Sequence, residues 1–159
     1  MFQCTFILND KPLSDLVVGG TRFVGGTRFP VFSGMDADRN KRAAACHPSV
    51  GPIPPGRYYI FDRQSGGRLA ALRSVFGTDK HGWFALYKDD GRIDDQVVCD
   101  SIGRGQFRLH PKGPMGISQG CITIEHEGDF QRLSAMLRSL PSTAVQGSNL
   151  KAYGIVTVS

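Results

Sequence analysis

Arg104-Gly105-Gln106-Phe107-Arg108-Leu109-His110-Pro111-Lys112-Gly113-Pro114-Met115-Gly116-Ile117-Ser118-Gln119-Gly120-Cys121-Ile122-Thr123-Ile124 reads as two short strands flanking a loop. A period of two turns Phe107 and Leu109 toward a core and puts Arg108 and His110 on the opposite face. The same alternation turns Ile122 and Ile124 inward and Cys121 and Thr123 outward. The ten residues between His110 and Cys121 hold three glycines and two prolines, a loop composition. If the two strands are hairpin neighbours, His110 and Cys121 stand at facing strand ends on one face.

The rest of the chain repeats this strand-and-turn grammar. Phe2, Cys4, Phe6 and Leu8 alternate with Gln3, Thr5, Ile7 and Asn9, which predicts a strand. Val18-Gly19-Gly20-Thr21-Arg22-Phe23 is duplicated as Val24-Gly25-Gly26-Thr27-Arg28-Phe29. Two copies cannot build a solenoid, so a glycine-rich hairpin or loop is expected. Gly51-Pro52-Ile53-Pro54-Pro55-Gly56 is a stiff turn, because each proline fixes its own φ and restricts its predecessor. Arg57-Tyr58-Tyr59-Ile60-Phe61 and Trp83-Phe84-Ala85-Leu86-Tyr87 predict strands, and a short helix is expected over 68–76, ended by Gly77. Asp89-Asp90-Gly91 signals a turn. The clearest helix spans about 129–140: Phe130, Leu133, Met136, Leu137 and Leu140 form a core-facing stripe, Asp129 can cap it and Pro141 stops it. A last strand is expected over 152–158. The class is β-rich α+β, as mixed sheets or a β-sandwich with one main helix.

Length and composition set the limits. The 159 residues suit one domain, 1–159. Apolar residues at 40% and charged residues at 21% exclude intrinsic disorder and ordinary coiled coil. No run is long enough to span a bilayer, so no stable membrane insertion is expected. The first residues lack a basic n-region and an apolar h-region, so no signal peptide is visible. The net charge of +5 favours anionic partners, but the basic residues are scattered and match no nucleic-acid motif. Four cysteines, at 4, 46, 99 and 121, allow three complete pairings, and their spacing chooses none. If one is a catalytic thiol, at most one bridge remains and one thiol is left over.

Cys121 and His110 are the candidate nucleophile and base. A cysteine thiol is mostly protonated at neutral pH, and an adjacent imidazole can take its proton and stabilise the thiolate. Gly120 lets the backbone approach a substrate carbonyl, and N–H groups around Gln119, Gly120 and Cys121 can hold the developing oxyanion. Ser118 is a hydrogen-bond donor at the site edge. Arg104 and Arg108, with Gln119, form the candidate substrate-facing set, since arginine binds carboxylates bidentately. By pattern alone, a Cys beside Ile-Thr-Ile is also a good buried small hydrophobe. A zinc site from Cys99, His110, Cys121 and His126 lacks any C-x₂₋₄-C knuckle, so no metal and no cofactor are expected. Papain-like and NlpC/P60 amidases place the cysteine before the histidine. Cys46-His47 has that order but lacks a helix start to activate the thiol. His81 and His126 read as surface residues.

At His110 and Ser118-Gln119-Gly120-Cys121-Ile122 the sequence resembles the YkuD-type L,D-transpeptidase superfamily. It resembles still more the L,D-transpeptidase-like antibacterial effectors of type VI secretion systems. Phe29-Pro30-Val31-Phe32-Ser33-Gly34, the 51–56 turn, the 83–87 strand and Arg108-Leu109-His110-Pro111 carry that similarity. The resemblance implies a single L,D-transpeptidase-like catalytic domain whose Cys121 acylates on a tetrapeptide stem and expels D-alanine. Resolution by water is L,D-carboxypeptidase activity; a free D-amino acid gives exchange; a second stem's amine gives a cross-link. It also implies peptidoglycan stem peptides, a cognate immunity protein and the type VI apparatus as partners. Synthesis would be in the producer's cytoplasm, and the action in a target bacterium's periplasm. A backbone carbonyl would orient His110. Cross-linking members commonly carry His before the Gly-Cys and Arg after the Cys-Ile, where this chain has Gln119 and Thr123. Their His-to-Cys loop is also longer, so carboxypeptidase or exchange activity is favoured. The rival from another class is a non-catalytic module that binds cell wall or an immunity protein, with Trp83, Phe84 and Tyr87 as contacts.

Overall fold

The structure, a computed structural model, describes residues 1–20, 23–63 and 82–159. The expected helix over 68–76 and the placement of His81 fall outside those residues. Phe2 and the other alternating apolar residues form β1 (Phe2–Phe6), buried at every second position. The duplicated segment makes an antiparallel pair, β2 (Ser14–Gly20) with β3 (Phe23–Phe32), bent by a register shift between Val18 and Gly20. The proline turn delivers the chain into β4 (Gly56–Asp62), and β5 (Phe84–Lys88) follows. A two-stranded ribbon, β6 (Gln96–Cys99) with β7 (Ile102–Gly105), precedes β8 (Arg108–Pro111) and β9 (Ile122–Ile124). Helix α1 (Glu127–Arg138), the ribbon β10 (Thr143–Ala144) with β11 (Lys151–Ala152), and β12 (Gly154–Val158) complete the order.

The class is β-rich α+β with one α-helix among the described residues, but the sandwich expectation needs correction. Eight strands close into one barrel, in the order β1-β12-β4-β5-β8-β9-β3-β2. Closure removes the exposed sheet edges that a sandwich would have to protect. It depends on two parallel pairings, β1 with β12 and β8 with β9. Neither leaves a local signal, because alternation reports which face is buried and not which strand lies alongside.

Most of the core is one cluster inside the barrel. Phe6, Val18, Val31, Ile60, Phe84, Leu109, Ile122 and Ile124 belong to it, and α1 adds Phe130, Leu133 and Leu137. The helical stripe is therefore core packing, as its 3.6-residue spacing predicted. Its bounds are shifted: α1 starts at Glu127, with His126 at the N-cap position and no side-chain cap. Asp129 lies within the first turn and pairs with Arg132 instead of capping. Acidic Glu127 and Asp129 there still favour the helix N-terminus. Tyr59 and Phe61 point out of β4 and pack with Val145, Leu150 and Ala152 around the β10–β11 ribbon. Among the described residues no helix is long and apolar enough to cross a membrane.

Candidate active site

The hairpin expectation for β8 and β9 fails, and with it the facing strand ends, but the shared face survives. The strands run parallel, with Leu109 opposite Ile122 and His110 opposite Thr123. Cys121 comes one residue before Ile122, and His110 one after Leu109. They therefore share a face of adjacent strands, offset by two residues, about 7 Å along strands about 5 Å apart. The loop between them must return the chain past β8, which explains its glycines and prolines.

His110 is oriented by a backbone carbonyl, that of Pro111, 2.7 Å from Nδ1. A carbonyl only accepts, so Nδ1 carries the proton and Nε2 is the basic ring nitrogen. The indole of Trp83 stacks on the imidazole at 4.2 Å between centroids, nearly parallel at 16°. His110 is buried and Cys121 is half-exposed. The Cys121 Sγ lies 3.9 Å from the Gln106 carbonyl oxygen, to which the thiol donates. Gln106 adopts a left-handed backbone, φ 55°, in the turn from β7 to β8, which aims that carbonyl at the thiol.

The turn bearing the thiol is held by three side chains, one per carbonyl. Arg104 Nη2 donates to the Gln119 oxygen at 3.5 Å, Ser33 Oγ to the Gly120 oxygen at 3.3 Å, and Ser118 Oγ to the Cys121 oxygen at 2.7 Å. In a trans peptide the N–H points opposite to the C=O. The Gly120 and Cys121 N–H groups thus face away from Arg104 and Ser33. Gly120 itself has φ +104°, and a Cβ there would sit 2.6 Å from Arg104 Nη2 and 2.8 Å from the Phe107 ring. Only glycine satisfies both constraints.

The arginines are placed differently from the expectation that they meet a substrate carboxylate. Arg104 is 8% exposed and faces inward. Its Nη1 donates to the Ala45 carbonyl and to that of Pro52 at 2.5 Å, and Nη2 to Gly51 at 2.9 Å besides Gln119. Burial pulls its pKa below the ordinary value, while Tyr58 and Cys121 act in the opposite direction. Arg108 is gripped by both oxygens of Asp95, at 2.7 and 2.5 Å. Burial works against the Arg108 cation, but the Asp95 hydrogen bond and charge outweigh it, with Tyr87 and Cys121 adding, and its pKa is raised. An ionised Cys121 favours both guanidinium cations. Ser118 is buried against its own turn, and Gln119 has an exposed side chain.

The proline turn supplies acceptors. The Gly51 and Pro52 carbonyls go to Arg104, and that of Pro54 to the Tyr58 hydroxyl at 2.7 Å. A disulfide, Cys46–Cys99, ties this segment to the β6–β7 ribbon from which Arg104 projects. Cys4 and Cys121 are the thiols. The bridge takes Cys99 out of the conceivable zinc set and Cys46 out of the Cys-His amidase order. Among the described residues no group of three or more His, Cys, Asp or Glu is placed to hold a metal ion. Ser33, Gln106 and Asp95 escaped the sequence reading; Ser33 lay in a quoted segment but acts on a residue far along the chain. The model of the Tlde1 domain family matches residues 27–148, more than half of the chain. Three barrel strands, β1, β2 and β12, lie outside the match. Neither a curated protein nor a solved structure matches.

Proposed function

Since this chain belongs to the Tlde1 domain family, the type VI secretion L,D-transpeptidase effectors, we propose that it acts on peptidoglycan tetrapeptide stems through a Cys121 acyl-enzyme. The single observation that carries this reading is the braced turn. Three side chains fix the carbonyls of Gln119, Gly120 and Cys121, which sets the direction of the Gly120 and Cys121 N–H groups, the donors this reading assigns to the oxyanion.

In this reading His110 Nε2 takes the Cys121 proton as sulfur attacks the carbonyl at the L-centre of meso-diaminopimelate. The Gly120 and Cys121 N–H groups hold the tetrahedral oxyanion. The C–N bond to the terminal D-alanine breaks, and His110 returns the proton to the leaving amine. Water then attacks the thioester, His110 takes its proton, and the thiol and a shortened stem are released. A D-amino acid in place of water gives exchange. The half-exposed thiol supports entry of a small nucleophile. Thr123, fully buried in β9, stands where the cross-linking relatives commonly carry an arginine, which favours carboxypeptidase or exchange over cross-linking in this reading. Action in the periplasm of a target cell, restrained by an immunity protein, belongs to the same proposal.

The test is mass spectrometry of tetrapeptide muropeptides incubated with the wild type or Cys121→Ala, with and without a D-amino acid. D-Alanine loss by the wild type alone is expected, with a mass shift when a D-amino acid is added. Unchanged substrate from folded wild type with a reduced Cys121 would overturn the reading in favour of a binding module.

A further inference from the structure

Among the described residues Arg104 is the cation of the site enclosed by main-chain carbonyls. It comes from β7, reaches under the turn that carries Cys121, and touches four carbonyls from two separate segments, 45–52 and 119. The absent Cβ of Gly120 leaves the room in which Nη2 sits. The Phe107 ring packs against the same guanidinium, its centroid 5.3 Å from Cζ. A lysine ammonium is a single donor centre and cannot span this set in the same geometry.

We propose that Arg104 is a positioning residue: its buried guanidinium braces the Gln119–Gly120 peptide that forms the oxyanion site and serves as the fixed counter-charge of the Cys121 thiolate. The role differs from substrate binding, because its N–H donors point to carbonyls of the chain itself. Among the described residues, the charged and titratable groups around the thiol are Arg104 from β7, Arg108 and His110 from β8, Asp95 ahead of β6, which pairs with Arg108, and Tyr87 from β5, which faces Arg108. Tyr58 from β4 faces Arg104 in turn. Asp95 offsets much of the Arg108 charge, so of the two arginines Arg104 is the one with no carboxylate partner among the described residues. The proposal rests on Cys121 being the nucleophile, but its test needs no substrate.

Two variants separate the two parts of the role. Alkylation of Cys121 by iodoacetamide, followed by intact mass, gives the pH at which the thiolate forms. With Arg104→Met that midpoint is expected to rise by about one unit, a tenfold slower reaction on the acid side. A folded Arg104→Met with the wild-type midpoint would overturn the counter-charge. Arg104→Lys keeps the charge and loses the fork. Its Gln119–Cys121 amides are expected to exchange with deuterium at least about tenfold faster, at an alkylation midpoint near the wild type's. Unchanged exchange would overturn the brace. If Arg104→Met does not fold, a midpoint in Arg104→Lys raised as far as in Cys121 of the unfolded chain removes the counter-charge, and a retained one supports it. Failure of muropeptide turnover together with these shifts would sink the proposed reaction and leave the Arg104 role standing.

Discussion

The Ser33 hydroxyl donates to the Gly120 carbonyl at 3.3 Å, joining residues 87 apart in the chain. The same oxygen accepts the Ile53 N–H at 2.8 Å, so one hydroxyl links the end of β3, the proline turn and the nucleophile turn. Ser33 is fully buried. Ser33→Ala leaves a buried N–H and a buried carbonyl without their partner, at a cost of about 1–3 kcal/mol. The loosened oxyanion site should slow acylation by about tenfold or more, with KM little changed. Chemical denaturation and stem-peptide kinetics check the two parts. An alanine variant with full turnover would show that the brace at Gly120 does not matter to the chemistry.

The Cys46–Cys99 bridge closes a sequence separation of 53 residues and anchors the segment whose carbonyls receive Arg104. A loop of that length contributes on the order of 4 kcal/mol through the unfolded chain. Reduction by a dithiol should lower Tm and slow muropeptide turnover together, because Ala45 and the Arg104 cluster lose their anchor. Cys46→Ala/Cys99→Ala should show both losses and no further response to reductant. Complete reduction, verified by thiol counting, with unchanged Tm and turnover would sink this assignment.

How much of this was written in the sequence follows from the range of each interaction. The strand at Phe2 was legible from its alternating burial, those at Arg57 and Phe84 from their aromatic and aliphatic residues, and the helix from the 3.6-residue stripe that includes Phe130. His110 and Cys121 were legible through their types and the glycine beside the thiol. The parallel pairing of β8 with β9 was not, since a ten-residue, glycine-rich loop looks the same in a hairpin. Nor was the inward turn of Arg104: an arginine beside a cysteine invites a substrate role, and its four carbonyl acceptors carry no side-chain signature. Ser33 reaches the nucleophile turn and the disulfide joins a loop to the β6–β7 ribbon, long-range pairings fixed only when the fold closes.

Thr123, the register partner of His110, is fully buried, and among the described residues its Oγ1 has no hydrogen-bond partner. Thr123→Val replaces an unsatisfied hydroxyl by a methyl of the same shape. Stability should therefore hold or rise by about 1 kcal/mol, with turnover retained. Thr123→Arg would bury a guanidinium in the barrel wall and should unfold the protein. Thermal melts of both variants decide the matter: a valine variant that melts well below the wild type would mean the hydroxyl has a partner after all.

Cys4 gives the pH dependence its sign. Burial in the barrel core pushes its thiol up to about 12, from an ordinary value of 9.0. The folded state therefore keeps this proton where the unfolded chain releases it. The unfolded state binds fewer protons above pH 9.0, so stability falls as pH rises from there toward about 12. Below pH 9.0 both states hold the proton and Cys4 contributes no slope. Burial raises the Tyr58 phenol too, but from 10.0, so its effect begins a unit higher. Between these two values the loss belongs to Cys4, at roughly 1.4 kcal/mol per pH unit once the unfolded thiol is ionised. Cys4→Ala should start less stable, because of the small cavity, and then lose stability less steeply across that window. Denaturation midpoints of both proteins at several pH values test it. Parallel slopes would mean that Cys4 ionises as readily in the barrel as in the unfolded chain.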